Sequence, residues 1–444
     1  MVYSRETGDG EEGGAVEDGG RLAGAWWSAL CLVLALLSAH AAETDSVGLI
    51  ASLEPGWPQW RGPRRDGISD ETDLLQSWPE GGPKLLWTAT GLGTGWSSPI
   101  VTGGSMYITG DTGPDLTVFA LDMDGQVRWR AKNGAAWKGS FSGARACCAY
   151  SEGHIYHMNA HGRIACFEAA TGREVWAVNA LERFQGQNIT WAISECVLVD
   201  GPNVIVTPGG RKAFMAALNK KTGQTAWAGE ALPNPDTERT GYASPILLRF
   251  GGRRLLVTLS LHFVVCVDAD TGKVLWTHEK RSRYDANCAT PVFCDGGIFQ
   301  TAPSGSGGLF LKLQSEKEAV RVEKLWECRV DNISGGAVAR DGFLYSSGHR
   351  NTGWVCMAVS DGKTAYDSAE LAQGSLLYAD GRLYCLSERG VAALVKPGPQ
   401  GFEILGRFQL TDGRNADAWE HPVVVGGRLY LRYHGKLQCY DVRR

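Results

Sequence analysis

A short pattern recurs along this chain at a nearly constant interval. It consists of a small residue, then Asp or a substitute two positions later, then Thr-Gly or Asp-Gly, and finally Trp; the clearest copy runs from Cys266 to Trp276. The intervals between successive copies are 47, 51, 49 and 50 residues, measured at the tryptophans Trp129, Trp176, Trp227, Trp276 and Trp326. A fixed period of this length, built from short strands and Gly turns, predicts a β-propeller or another closed array.

The repeat also predicts how many blades the ring has and how it closes. Each period contains the alternation and turn residues of four short strands, which is typical of four-stranded antiparallel blades. The last copy, ending at Asp441, lacks an outer strand, whereas the segment from Pro83 to Trp87 is an outer strand without a blade. Pairing these two segments closes an all-β, eight-bladed β-propeller and leaves no free sheet edge. Seven blades are the alternative.

The recurring tryptophans are predicted to have a structural role. A Trp on the outermost strand can lie between adjacent blades and bury a large apolar area there. The predicted docking residues are Trp87, Trp129, Trp176, Trp227, Trp276 and Trp326.

The first 80 residues differ in composition from the repeats. Residues 1–21 are acidic and Gly-rich, and we expect them to be disordered. Residues 22–42 are predominantly apolar and end in Ala39-His40-Ala41, so we predict a signal peptide, with an uncleaved membrane anchor as the alternative. Residues 43–80 form a lead-in segment, and the propeller is predicted to span residues 81–444. Export to the periplasm or the extracellular space follows from this assignment.

The charge of the chain limits its partners. The formal net charge is -4, and the sequence contains no basic tract. This composition argues against nucleic acid as a ligand. We expect a monomer that contacts a membrane only through the N-terminal segment, if that segment is not cleaved.

A ring of side chains is predicted at one mouth of the central channel. The positions just ahead of each predicted inner strand are Trp96, Arg145, Glu195, Tyr242, Asn287, Asn332, Gln373 and Trp419. Aromatic rings mixed with an Arg, a Glu and amides suit a small polar ligand or a protein partner. The alternative is that these side chains only fill the channel and satisfy one another.

The repeat resembles the tryptophan-docking repeat of pyrroloquinoline quinone (PQQ) dehydrogenases, whose propellers have eight blades. The segment from Trp57 to Gly67 is similar to the lead-in of secreted, BamB-like propellers from planctomycete-type bacteria. The resemblance covers nearly the whole chain after residue 57. It implies the fold but leaves the function open, because related propellers serve both as redox enzymes and as assembly scaffolds.

The resemblance to the enzymes implies a cofactor site. It places PQQ beside an adjacent cysteine pair, Cys147 and Cys148, with Arg145, Glu195 and Asn287 as further contacts. The calcium ligands it implies are Glu195, Asp285 and Asn287. The sequence departs from the enzyme pattern because the fourth blade offers Tyr242 rather than an Asn ligand, no catalytic Asp–Arg pair is recognisable, and no Cys-x-x-Cys-His haem motif occurs. The catalytic residues are therefore unknown.

Most other cysteines and histidines have simpler interpretations. Cys166, Cys266, Cys356 and Cys439 occupy one repeat position, where Ala stands in other blades, and are predicted to be small buried residues. His154, His157 and His161 are predicted to be exposed or to lie in turns, because strand geometry does not bring them together as metal ligands.

The sequence thus predicts an exported propeller that binds or scaffolds other molecules outside the cytoplasm, in the manner of the outer-membrane assembly protein BamB. The alternative is a PQQ- and calcium-dependent quinoprotein dehydrogenase that oxidises an alcohol or a sugar.

Overall fold

The computed structural model describes residues 47–316 and 319–444. The predicted acidic leader and signal peptide lie outside the described residues. Val47–Arg444 forms one compact unit. Its strands make eight antiparallel blades of four strands each, so the predicted eight-bladed all-β propeller is confirmed.

The strands run from the channel outward in chain order within each of the first seven blades. First strands of adjacent blades contact each other, which identifies them as the innermost. Blades 1 and 2 comprise Ile100–Thr102, Ser105–Thr112, Asp115–Asp122, Val127–Ala135 and Ala149–Ser151, His154–Met158, Arg163–Glu168, Glu174–Asn179. Blades 3 and 4 comprise Leu198–Asp200, Asn203–Val206, Ala216–Asn219, Thr225–Ala228 and Ile246–Phe250, Arg253–Leu259, Phe263–Asp268, Val274–Glu279.

The second half of the ring repeats this arrangement. Blades 5 and 6 comprise Val292–Cys294, Gly297–Thr301, Gly308–Glu316, Ala319–Cys328 and Val338–Arg340, Phe343–Ser347, Trp354–Ala358, Thr364–Ser368. Blades 7 and 8 comprise Gly374–Ala379, Arg382–Ser387, Val391–Lys396, Glu403–Gln409 and Val423–Val425, Arg428–Tyr433, Lys436–Asp441, Lys84–Ala89.

The ring closes as the sequence predicts. Blade 8 takes its outer strand, Lys84–Ala89, from the beginning of the propeller, and this strand pairs antiparallel with Lys436–Asp441. The pairing joins the two ends of the ring within one sheet, so closure rests on backbone hydrogen bonds.

The sequence repeat has a direct packing explanation. In blade 2 the small residue Cys166 pairs with Trp176 across the two outer strands, and a bulge follows at the next position. The Trp176 ring then lies against Gly223 in the Thr-Gly turn of blade 3, where a Cβ would meet ring atoms at 2.6 Å. The indole N–H donates to the carbonyl oxygen of Lys220 at 2.9 Å. Each Trp therefore docks its own blade onto the next.

The same contact recurs around the ring. A Cβ on the turn glycine of the next blade would come within 2.7 Å of a docking Trp at Gly125, Gly172, Gly272 and Gly362, which face Trp87, Trp129, Trp227 and Trp326. These four glycines also have positive φ angles. Glycine in the Thr-Gly and Asp-Gly steps therefore has two roles. It adopts the left-handed backbone conformation of the turn, and it has no Cβ that would displace the indole ring.

The lead-in segment occupies the channel. Residues 48–69, here called the plug, pair with the inner strands of three blades: Gly48–Leu49 with blade 4, Trp57 with blade 1, and Ile68–Ser69 with blade 7. Other plug residues reach the remaining blades, as the next paragraph describes. Only the channel axis is adjacent to all eight inner strands, so the plug lies on that axis.

Hydrogen bonds tie the plug to the other five blades. The carbonyl of Pro58 accepts from the backbone N–H of Tyr150 in blade 2, and the Ser69 hydroxyl donates to Val424 of blade 8. The Trp60 indole donates to Thr290 at the entrance of blade 5 at 3.0 Å. The remaining bonds, from Arg61 to Ala337 ahead of blade 6 and from Arg65 to Cys196 and Val197 ahead of blade 3, end on backbone carbonyls.

Two arginines of the plug are buried in the ring. Arg61 and Arg65 are each 2% exposed, and burial lowers the pKa of each to about 10. Both remain cationic at neutral pH, with backbone carbonyls as acceptors. The plug is therefore held by specific polar bonds as well as by packing.

Helical structure is limited in the described part of the chain. A short α-helix, Ala180–Phe184, follows blade 2, and a single 3-10 turn, Arg283–Asp285, follows blade 4. Across residues 47–316 and 319–444, no helix is both long and apolar enough to cross a membrane.

Candidate functional site

Aromatic side chains gather at the mouth where the inner strands begin. The Trp96 and Trp419 ring centroids lie 5.0 Å apart, and Phe141 meets Trp419 edge-on at 5.5 Å. Trp96 and Trp419 are partly exposed, and Phe141 is 56% exposed. The ends of three inter-blade loops thus present one apolar surface to solvent.

Arg145 connects this surface to a second aromatic pair. Its guanidinium lies 6.0 Å from the Trp96 ring and 5.8 Å from the Trp137 ring, within reach of cation–π attraction. It also donates to the carbonyl oxygens of Phe141 and Trp191. Burial lowers the pKa of Arg145 to about 10, so the group stays charged at neutral pH.

The second pair consists of Trp191 and Tyr242, whose ring centroids lie 5.8 Å apart. The Tyr242 hydroxyl accepts a hydrogen bond from the Trp191 backbone N–H at 3.3 Å. Together, the aromatic rings and Arg145 form what we call the aromatic mouth: Trp96, Trp137, Phe141, Arg145, Trp191, Tyr242 and Trp419.

A group of ionisable residues lies near Trp96. Arg432 is fully buried and donates to the Ser97 carbonyl and hydroxyl at 2.8 and 2.6 Å. Glu420 is 1% exposed, and burial raises its pKa to about 8, against the attraction of Arg432. Burial also raises the pKa of Asp111 to about 6, although Arg145 and other cations oppose the shift. Glu420 is therefore mostly protonated at neutral pH and Asp111 mostly ionised.

Asp417 anchors the loop that carries Trp419. Its carboxylate accepts from the Tyr433 hydroxyl at 3.0 Å and lies 2.9 Å from Nε2 of His434. Its backbone carbonyl accepts from the Trp96 indole at 2.9 Å. The aromatic mouth is thus fixed by hydrogen bonds from both blade 1 and blade 8.

Sequence reasoning missed Asp111, Asp417, Glu420, Arg432 and His434. The Glu-His-Pro step at 420–422 is the one local signal, because it stands where blades 1, 4 and 5 have Ser-Pro or Thr-Pro.

Of the eight residues predicted to ring the mouth, four belong to the aromatic mouth: Trp96, Arg145, Tyr242 and Trp419. The other four are bonded within the propeller. Glu195 accepts from Thr207 at 3.1 Å, and the Asn332 amide donates to Ser347 at 2.8 Å. The amide of Asn287 donates to three backbone carbonyls, and that of Gln373 donates to Glu388 at 2.6 Å.

The surroundings of the cysteine pair do not fit PQQ. Cys147 packs with Ala146 and Cys196 against Trp60 of the plug, whereas Cys148 belongs to the core between blades 1 and 2. In this structure Cys147 and Cys148 are not joined by a disulfide. The space left beside Trp57, Trp60, Cys147 and His421 is about 10 Å³, which is room for about one water molecule. Trp60 therefore occupies the place where a flat cofactor would face Cys147.

The implied calcium ligands do not fit the ion either. The Asp285 carboxylate contacts Nε2 of His262 at 3.1 Å, on the surface. The amide nitrogen of Asn287 faces carbonyls of blade 4, and Glu195 binds blade 3 as described above. Within residues 47–316 and 319–444, no group of three or more His, Cys, Asp or Glu side chains could hold a metal ion.

One histidine prediction is wrong. His154 and His161 are partly exposed beside turns, but His157 is fully buried. Its Nδ1 lies 2.9 Å from the Asn133 amide nitrogen of blade 1, and burial lowers its pKa to about 4. The side chain faces the neighbouring blade, a contact that spacing within one hairpin does not reveal. By contrast, the prediction that Cys166, Cys266, Cys356 and Cys439 are buried in third strands is confirmed.

Comparison with known proteins places the chain in a family. The sequence profile described as outer membrane protein assembly factor BamB matches residues 114–368, which is more than half of the chain. The chain belongs to this family. BamB from Yersinia pestis is 22% identical over 299 residues, covering 62% of this chain and 68% of that protein.

Quinoprotein dehydrogenases are also relatives. The dehydrogenase subunit of the quinone alcohol dehydrogenase of Gluconacetobacter polyoxogenes is 27% identical over 161 residues. The match covers 34% of this chain and 22% of that subunit, so it spans less than a quarter of the relative's length. The crystal structure of quinohemoprotein alcohol dehydrogenase from Comamonas testosteroni superposes with a TM-score of 0.63 at 15% identity, covering 88% of this chain and 81% of that one. The structural likeness shows that the fold is shared.

Proposed function

We propose that this chain is a non-catalytic binding propeller that acts outside the cytoplasm and recognises a protein partner through the aromatic mouth. The observation that carries the proposal is the exposed cluster of Trp96, Phe141 and Trp419 around the Arg145 guanidinium. Trp, Tyr and Arg are enriched among the residues that dominate the energetics of protein interfaces. Trp and Tyr bury much surface with few rotatable bonds, and the Arg guanidinium stacks on aromatic rings and donates several hydrogen bonds. Action outside the cytoplasm rests on the apolar pattern of residues 22–42.

The plug supports a binding role over a redox role. It fills the channel with Trp60 beside Cys147, where the resemblance to quinoproteins would place PQQ. The aromatic mouth remains open, and its loops are already ordered by Asp417 and Arg145. A pre-formed surface of this kind loses little conformational entropy when a partner binds. The relationship to BamB is consistent with a protein partner.

The test is a selection of peptides from a random display library against the full protein, followed by affinity measurements on variants. Trp419→Ala and Phe141→Ala should each weaken the selected peptides by about 10- to 30-fold, the loss typical of an interface anchor. Leu85→Ala is the matched control, because Leu85 is an exposed apolar residue on the outer strand of blade 8. Equal affinities for wild type, Trp419→Ala and Phe141→Ala would contradict the proposal.

A second measurement addresses the redox alternative. PQQ and Ca²⁺ are added at saturating concentration, and the melting temperature is compared for wild type and Cys147→Ser. A ligand that binds only the folded state raises its stability. We expect no shift; a rise in wild type that Cys147→Ser abolishes would favour a quinoprotein dehydrogenase and overturn the binding role.

A further inference from the structure

Two cysteines from neighbouring blades meet under the plug. The backbone N–H of Cys147, at the entrance of blade 2, donates to Sγ of Cys196, at the entrance of blade 3, at 3.1 Å. The side chains are 2% and 4% exposed and share one apolar cluster. Since N and Cα are ~1.46 Å apart, Sγ of Cys196 lies within ~4.6 Å of the Cys147 Cα. A rotation of the Cys147 side chain can therefore bring the two sulfurs together.

The side chain of Cys148, the next residue in the sequence, does not pack with Cys147 and Cys196. Cys148 packs with Tyr107 and Phe167 in the core between blades 1 and 2. Successive side chains on an extended backbone point to opposite faces. The nearest thiol partner of Cys147 is thus 49 positions away in the sequence rather than adjacent to it.

We propose that Cys147 and Cys196 form a disulfide that joins blades 2 and 3 beneath the plug, with a small disulfide such as oxidised glutathione as the oxidant. The Cys196 thiolate attacks the small disulfide, forms a mixed disulfide and releases one small thiol. The Cys147 thiolate then attacks Sγ of Cys196 and releases the second. The protein loses two hydrogens, and the oxidant becomes two thiols. Because Trp60 covers the pair, the exchange takes place during folding, before the plug is seated.

The surroundings favour Cys196 as the attacking thiol. Burial raises the pKa of the Cys196 thiol, but hydrogen bonds from Cys147, which do not involve the plug, oppose this effect and the pKa is lowered. The thiolate is the reactive form of cysteine, so this position is prepared for exchange.

The test maps the bond directly. Full-chain protein is obtained both by export into an oxidising compartment and by refolding from urea with oxidised and reduced glutathione. Each sample is alkylated and digested with trypsin, which cuts after Arg145, Arg163, Arg183 and Arg211. The expected product is a cross-link between peptides 146–163 and 184–211 that persists in Cys148→Ser and is lost in Cys147→Ser and Cys196→Ser. Alkylation of both positions in the folded protein, or a bond contained within peptide 146–163, would overturn the proposal.

A stability measurement provides an independent readout. A disulfide that closes a loop of about 50 residues should raise the melting temperature of a propeller of this size by about 5 °C. Reductant should therefore lower the melting temperature of wild type and of Cys148→Ser by that amount and leave Cys196→Ser unchanged. A wild-type melting temperature that does not respond to reductant contradicts the disulfide.

Discussion

Replacing one turn glycine by alanine should uncouple two blades without touching the core of either. Gly223 has a φ of +68°, and a Cβ there would lie 2.6 Å from Cε3 of Trp176. The matched control is Gly153, which has a φ of +76° in a hairpin turn of blade 2 and nothing within 4 Å of an added Cβ. Both substitutions place Ala in the left-handed region, but only Gly223→Ala displaces a docking tryptophan.

The expected difference follows from the contacts. The left-handed backbone costs about 1 kcal/mol at either position. Gly223→Ala adds an overpacking cost of about 2 kcal/mol and about 1 kcal/mol for the hydrogen bond from Trp176 to Lys220. Unfolding a unit of about 400 residues has an entropy near 0.8 kcal/mol per kelvin, so each kcal/mol lowers the melting temperature by about 1.2 °C. Gly223→Ala should therefore melt about 5 °C below wild type and Gly153→Ala about 1 °C below.

Differential scanning calorimetry measures both shifts. Trp176→Leu combined with Gly223→Ala should cost less than the sum of the two single changes, because the smaller side chain no longer meets the added methyl group. Equal melting temperatures for Gly223→Ala and Gly153→Ala would refute the docking explanation of the repeat and leave the Thr-Gly step as a turn preference alone.

Three further predictions concern Glu420, Asn287 and Trp60. Burial raises the pKa of Glu420 to about 8. The folded protein therefore retains a proton that the unfolded chain releases near pH 4.5. As a result, the stability of wild type falls as the pH rises from about 4.5 to about 8. Glu420→Gln should remove that fall. The melting temperature of the variant minus that of wild type should therefore be larger at pH 8 than at pH 4.5. Asn287→Asp sets a charge among three carbonyls and should lower the melting temperature by about 4 °C, whereas the exposed Asp285→Asn should not. Trp60→Ala opens the channel beside the inner strands and should lower the melting temperature by a similar amount in a calorimetric scan.

The blade architecture is predictable from sequence because its determinants are local and repeated. The small residue, the turn glycine and the Trp stand within about ten positions of one another. The contact of Trp176 with a turn glycine of the next blade recurs at Trp87, Trp129, Trp227 and Trp326. The terminal strand pair follows from counting, since a blade without an outer strand and a strand without a blade must complete each other.

The interior of the ring is less predictable, because it depends on contacts across the channel. The plug has no periodicity, and its partners, such as Ala337 and Val424, lie hundreds of residues away. The sequence places eight residues just ahead of the inner strands, but it does not give the direction of each side chain: Asn287 turns toward blade 4 carbonyls, whereas Trp96 is partly exposed. Aligning the blade entrances would have placed Cys147 and Cys196 at the same position of adjacent blades, which is a stronger clue to their proximity than the adjacency of Cys147 and Cys148.

The plug also limits where this propeller can bind a ligand. Inner strands of a propeller present free edges toward the axis, and polar backbone groups there need partners. A chain segment that runs along the axis can supply them, as Trp57 and Ile68 do for blades 1 and 7, and Arg61 and Arg65 satisfy carbonyls that strand pairing does not reach. Once that segment is in place, the axis has no room for a flat ligand beside Cys147. On the proposed binding function, recognition takes place at the loops, where Arg145 and Trp419 are partly exposed.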